Sequence, residues 1–218
     1  MTEAQWLECT DPLTMLNYLR NTASERKLRL FACACCRKLW HLLRSVRSRR
    51  AVELSERYAD GMAERKAMTL AGGAACSAAR EAAGRTTPAT WNAIAAAPWA
   101  ARQAAISEAW FAAVGAFGYA RRASEEMQHP LGIVLLRDLF GNPFRATRVE
   151  QTWRERKSTT VVKLAQTIYD EPCFNHLPIL ADALEDAGCD DDAILSHCRQ
   201  PGEHVRGCWV VDLLLGKE

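Results

Sequence analysis

At 218 residues, with 49% hydrophobic and 25% charged side chains, the chain carries enough apolar material for a packed core and excludes wholesale disorder. No apolar run approaches the roughly 18–20 residues that a membrane-spanning helix needs. The formal net charge of +2 is too small to mark a polyanion binder by itself.

Helix signals begin at once. Thr2-Glu3-Ala4-Gln5 has the spacing of a capping box, and Asp11-Pro12 is an N-cap followed by proline at the first helical position, opening a helix through Arg20. Ser24 is placed to cap SERKLRLFACACCRKLWHLLR, in which Leu28, Phe31, Cys35, Leu39 and Leu42 recur at helical spacing. A further helix is predicted from Ser48 to Asp60, stopped by Gly61. Residues 62–127 are rich in alanine, which favours helix but buries little area per residue, so close packing and the aromatic anchors Trp91, Trp99, Trp110, Phe111, Phe117 and Tyr119 must supply cohesion.

The composition changes at His129-Pro130. LGIVLLRDLF reads as a short apolar helix ended by Gly141-Asn142-Pro143, and after a polar linker (Arg145 to Lys157) helices are predicted at about 158–170, 177–187, 191–199 and 204–215. Gly188 has the position of a C-terminal glycine and Asp190 that of the next N-cap. Alternating strand patterns are absent. The expected fold is all-α, a multi-helix array with an N-terminal subdomain over 1–128 and a C-terminal subdomain over 129–218 packed on it.

The near-neutral total conceals opposite blocks. Arg20 to Arg50 holds ten Lys/Arg against Glu25, whereas Asp170 to Asp192 holds eight Asp/Glu and no Lys/Arg. The simplest expectation is that the two blocks face each other inside the fold. MTEAQWLECTDP has neither a basic n-region nor an apolar h-region, so no signal peptide is expected and the nine cysteines should be reduced in the cytoplasm.

RKLRLFACACCRKLWHLL, LLRDLFGNPFR, LPILADALEDAGCDDDAILSHCR and HVRGCWVVDLLLGKE together resemble an uncharacterised family of bacterial helical proteins. The resemblance covers about the first 60 and last 90 residues. LPILADALEDAGC is also similar to the ADWLEERGD helix of short companion domains found beside repeat modules in similar bacteria. The resemblance implies a recurring helical module and carries over no catalytic residue.

Three constellations could bear chemistry. Cys189, Cys198, His204 and Cys208 make C-x8-C-x5-H-x3-C near the end of the chain, with His197 as an alternative ligand; Cys198, His204 and Cys208 are the metal candidates, for zinc. A helix starting at His204 would set it one turn from Cys208. Cys189 and Cys198, however, fall at opposite ends of one helix about 13 Å long, too far apart to share an ion, so a metal-free, thiol-rich packing corner is expected and no cofactor is required. Arg29, Cys33, Arg37 and His41 repeat every four residues on the basic helix, with Arg26 and Arg44 continuing the stripe. A thiol between guanidinium groups favours its thiolate, which makes Cys33 the candidate reactive cysteine, partly exposed, while Cys35 and Cys36 lie toward the core. The same stripe, as Arg29, Arg37, Arg44 and Arg47, is the candidate nucleic-acid footprint. Arg199/His204 and Arg122/His129 have the R-x4–6-H spacing of HEPN-type ribonucleases, to which the resemblance is slight. Asp212, an acid among CWVVDLLL, should be buried with a basic partner such as Arg37.

No glycine-rich phosphate loop, HExxH or nucleophile motif is present. The expectation is therefore a non-enzymatic helical module that binds another protein. Its alternative is a nucleic-acid-binding protein or metal-independent ribonuclease using residues 24–50 and an Arg/His pair.

Overall fold

The computed structural model describes residues 1–84, 95–124, 127, 130–145 and 158–217. Trp91, His129 and most of the 145–157 linker lie outside them. The described residues form twelve α-helices and no strand, so the fold is all-α. In chain order these are α1 (Glu3–Glu8), α2 (Pro12–Leu19), α3 (Glu25–Lys38), α4 (Val46–Ala59), α5 (Arg65–Ala83), α6 (Ala96–Ala104), α7 (Ala109–Ala123), α8 (Leu131–Phe140), α9 (Ser158–Asp170), α10 (Leu177–Asp186), α11 (Asp192–Arg199) and α12 (Trp209–Leu215). They divide into two units, Met1–Leu136 and Arg137–Glu218, the division falling inside α8 rather than before it.

The early helix starts obey their local chemistry. Thr2 and Gln5 form a reciprocal capping box on α1. The Asp11 carboxylate accepts from the amides of Leu13 and Thr14 at the start of α2, and Ser24 accepts from Lys27 N–H at the start of α3. Each satisfies donors that a helix start leaves unpaired. α3 ends sooner than its apolar spacing suggests, passing into a short 3-10 turn at Trp40–Leu42.

In the first unit α3 lies against α4, α6 and α7, and α5 against α4 and α6. Leu28, Leu30, Phe31, Cys35 and Cys36 are all buried, so the helix is enclosed on more than its apolar stripe. Alanine makes this packing feasible: Ala71, Ala75 and Ala79 of α5, Ala97, Ala100 and Ala101 of α6, and Ala112, Ala113 and Ala116 of α7 are buried. A Cβ on Gly72 would lie 3.0 Å from the Ala105 carbonyl oxygen, a measure of how near α5 comes to the end of α6. Of the expected anchors, Phe117 is buried against Phe31 and Trp99 stacks on Tyr119, whereas Phe111 is 55% exposed, its ring meeting its neighbour Trp110 edge-on.

Residues of both charge blocks form ion pairs inside their own units. Arg26 pairs with Asp60, Arg37 with Glu56 and Arg47 with Glu81, all within the first unit. In the second unit Arg199 binds Asp182 and Glu185 of the acidic segment. Asp212 is buried, and Arg37 makes a bidentate pair with Glu56.

The core of the second unit joins Ile168 and Tyr169 of α9, Leu177, Leu180 and Leu184 of α10, Ile194 of α11, and Val210, Val211 and Leu214 of α12. α9 packs on α10 and α12, and α10 on α11.

Candidate metal centre

Two left-handed glycines and one cap shape the C-terminal stretch. Gly188, at φ +91°, turns the chain after α10, while Cys189 N–H donates back to the Leu184 carbonyl. The next N-cap is Asp191, one residue later than predicted, its carboxylate accepting from the amides of Ala193 and Ile194. The predicted 204–215 helix starts only at Trp209. Gly207, at φ +92°, and the Cys208 N–H donating to the Val205 carbonyl make a tight turn there, with Cys208 as the N-cap of α12. His204 and Cys208 therefore converge through a turn and not through a helix face.

Four side chains of the second unit meet at this turn: Asp138 from α8, His197 from α11, and His204 and Cys208 from the loop before α12. One donor atom from each lies within 4.8 Å of all the others. His197 Nε2 is 3.2 Å from Cys208 Sγ and also 3.2 Å from Asp138 Oδ1. His204 Nδ1 is 2.6 Å from the same Oδ1, and Val205 N–H donates to Asp138 Oδ2 at 2.9 Å. The outer nitrogen of His197, Nδ1, is 3.2 Å from the Gln200 amide. The two imidazoles meet edge-on at 4.9 Å, and the Trp209 indole covers His197 at 5.2 Å. Gly141 lets that indole settle: at φ +57°, its absent Cβ would stand 3.0 Å from Trp209 Cγ.

The site is dry. Side-chain exposure is 3% for Asp138, 8% for His197 and 6% for His204, and Cys208 is fully buried. Burial pushes the Asp138 carboxyl up, but the hydrogen bonds with His197 and His204 more than offset it, leaving its pKa below the ordinary value. Burial, followed by the nearby Asp138 charge, pushes the Cys208 thiol far up, against the amides of Val211 and Val210 that favour its thiolate.

This is not the geometry of a Cys–His–Asp relay. Such a relay needs the two ring nitrogens of one histidine facing opposite partners. Here a single nitrogen, His197 Nε2, faces both Cys208 and Asp138.

Of the residues expected from spacing, His204 and Cys208 are in the cluster and Cys198 is not. His197 and Cys198 are consecutive on a helix, hence about 100° apart, and only His197 turns inward to the cluster. Cys198 lies in the apolar core with Cys189, and burial pushes its thiol up to about 12. Asp138 was missed, although its signal was legible: an acid inside LGIVLLRDLF is the same anomaly that singled out Asp212. The Arg199/His204 pair does not converge, since Arg199 is taken by Asp182 and Glu185 and His204 by Asp138. Arg122 has its partner His129 outside the described residues.

The basic helix is corrected more sharply. Cys33 is buried, its sulfur against the Val52 carbonyl, and burial raises its pKa far above an ordinary thiol's; it is not an exposed nucleophile. Arg29, also buried, donates to the carbonyls of Ala104 at 3.2 Å, Ile106 at 2.7 Å and Ser107 at 2.6 Å, closing the end of α6. It cannot reach a phosphate. Of the four footprint residues, Arg37 and Arg47 are held by Glu56 and Glu81, and Arg44 is exposed.

Fold and site thus define an all-α protein whose second unit gathers one carboxylate, two imidazoles and one thiol at a dry point. No family model, curated protein or solved structure matches the chain.

Proposed function

We propose that the chain is a non-enzymatic helical adaptor that acts by binding another protein. The observation that carries this reading is the engagement of its reactive groups. Cys33 is sealed in the core, and Arg29, Arg37 and Arg47 serve backbone carbonyls and local carboxylates. Among the side chains the first unit exposes are large apolar ones, Leu70 at 67% and Phe111 at 55%. Side chains of that size gain free energy when a partner removes them from water.

Two measurements test it. A photo-crosslinking amino acid at position 70 or 111 of the full chain, in its native cells, should yield a discrete adduct with one protein, abolished by Leu70→Asp or Phe111→Asp. Fluorescence anisotropy with single- and double-stranded oligonucleotides at low salt should give no binding. Salt-steep binding that weakens in an Arg44→Glu, Arg50→Glu double variant would overturn the proposal in favour of a nucleic-acid binder.

A further inference from the structure

We propose that Asp138, His197, His204 and Cys208 bind one structural zinc ion inside the second unit. This inference is independent of the adaptor reading.

Without a cation the cluster is under-satisfied in its hydrogen bonding. His197 Nε2 has two neighbours at 3.2 Å, the Asp138 carboxylate and the Cys208 sulfur. If that nitrogen carries a proton it suits the carboxylate, and the Cys208 sulfur, its S–H turned aside, accepts from it only weakly. If it presents a lone pair it suits the S–H, and it then faces a carboxylate lone pair. Either state leaves one contact weak or repulsive in a site too buried for water to repair. A single cation at the centre removes that mismatch, because all four groups then direct lone pairs to one point.

The dimensions fit. Tetrahedral zinc, with bonds of about 2.0–2.1 Å to nitrogen and oxygen and about 2.3 Å to sulfur, spaces its donors by about 3.3 Å for N and O and about 3.6 Å for N and S. The His197–Asp138 and His197–Cys208 edges, both 3.2 Å, are already close to that cage. The His204–Asp138 edge, at 2.6 Å, must open, and the remaining donor pairs, all within 4.8 Å, settle to the same spacing.

The donor set chooses the metal. Two imidazoles, one thiolate and one carboxylate suit zinc's borderline softness, whereas calcium and magnesium call for oxygen shells. Zn2+ with one thiolate, one carboxylate and two neutral imidazoles also sums to zero charge, so no net charge is buried. Four protein ligands leave no position for a substrate, which is the mark of a structural site. The outer contacts are partly in place. Val205 N–H holds the second oxygen of Asp138. The Gln200 amide nitrogen stands 3.2 Å from His197 Nδ1, and turning that amide over would set its oxygen to accept from Nδ1–H. The outer nitrogen of His204, Nε2, is buried with no hydrogen-bond partner among the described residues. The sequence-level objection concerned Cys189 together with Cys198, and neither belongs to this cluster.

The test uses the full chain purified without a metal-affinity tag. Elemental mass spectrometry should find one zinc per chain. After chelation, Co2+ should restore the intense visible bands of tetrahedral cobalt together with a near-ultraviolet sulfur-to-cobalt band. Cys208→Ser should abolish the sulfur band, while Cys198→Ser, a buried cysteine outside the cluster, should keep both metal stoichiometry and spectrum. Absence of zinc combined with no tetrahedral cobalt spectrum overturns the proposal, and so does a sulfur band that survives Cys208→Ser or vanishes in a folded Cys198→Ser. If Cys208→Ser fails to fold, the wild-type cobalt spectrum decides.

Discussion

Replacing Arg29 by methionine keeps the apolar stem that packs in the first unit and removes only the guanidinium. That group donates to three carbonyls at the C-terminal end of α6, where helix carbonyls lack intrahelical partners and the dipole favours a cation. The Ala104 carbonyl keeps the Ser55 hydroxyl, while those of Ile106 and Ser107, half-buried, regain only part of their hydration. Two charged-donor bonds at about 1.5 kcal/mol each are then lost, roughly 3 kcal/mol in all. Relief of the buried guanidinium's desolvation offsets part of that loss. The expected net loss is about 2 kcal/mol, a fall in Tm of roughly 6 °C for a unit of this size. Arg29→Lys should recover less than half of it, since one ammonium cannot span three carbonyls as a planar fork does. Urea titrations followed by circular dichroism measure the loss, and hydrogen exchange read by mass spectrometry should place it in the first unit. A methionine variant within 0.5 kcal/mol of wild type, as an estimate of the ordinary surface-substitution range, or a lysine variant equal to wild type, would refute the clamp.

Gly141→Ala should cost about 1–3 kcal/mol, because alanine is strained at positive φ and its Cβ would press on the Trp209 ring; a variant as stable as wild type in thermal melts contradicts that packing. In native thiol labelling, the half-buried Cys9, Cys76 and Cys173 should be modified first, with the six buried cysteines protected until unfolding; Cys33 labelling as fast as Cys9 would count against the enclosed α3. Asp11→Ala should destabilise by about 1 kcal/mol at neutral pH through loss of its cap. The Thr14 hydroxyl is the main cause holding the Asp11 pKa below its ordinary value, so the cap's contribution is full above that value and is lost as pH falls through the lowered one. The gap between variant and wild type should accordingly narrow as pH falls below about 4 and on through the lowered value; a gap unchanged in acid refutes the role of the carboxylate's charge.

The helix starts were legible because they depend on neighbours in sequence: Asp11, Ser24 and Thr2 act within three residues of themselves. Cys33 was misread because the four-residue stripe assumed that one side of α3 faces water. Arg29 and Arg37 share that stripe, yet one reaches the end of α6 and the other Glu56 of α4, and the thiol between them is covered. Nothing in the local sequence announces how many neighbours a helix will have. The metal candidates were half legible for a related reason. His204 and Cys208 are close in sequence, but Asp138 is contributed across 66 positions from His204, and the choice between His197 and Cys198 depends on which way α11 rolls against α10. Asp138 is the exception that composition alone offered, as an acid in an apolar helix.

That sequence separation has a consequence for synthesis. Asp138 leaves the ribosome with α8, while the three side chains that complete its surroundings follow only when the chain has reached Cys208. At about 5–20 residues per second, the interval is roughly 4–14 s. For that time the carboxylate lacks His197 and His204, the groups it pairs with in the finished unit, and water is its better surroundings. The second unit is therefore a late-closing one. Its nascent form, with the α8 carboxylate solvated and the α9–α10 apolar faces waiting for α12, is the state that chaperones and proteases would meet.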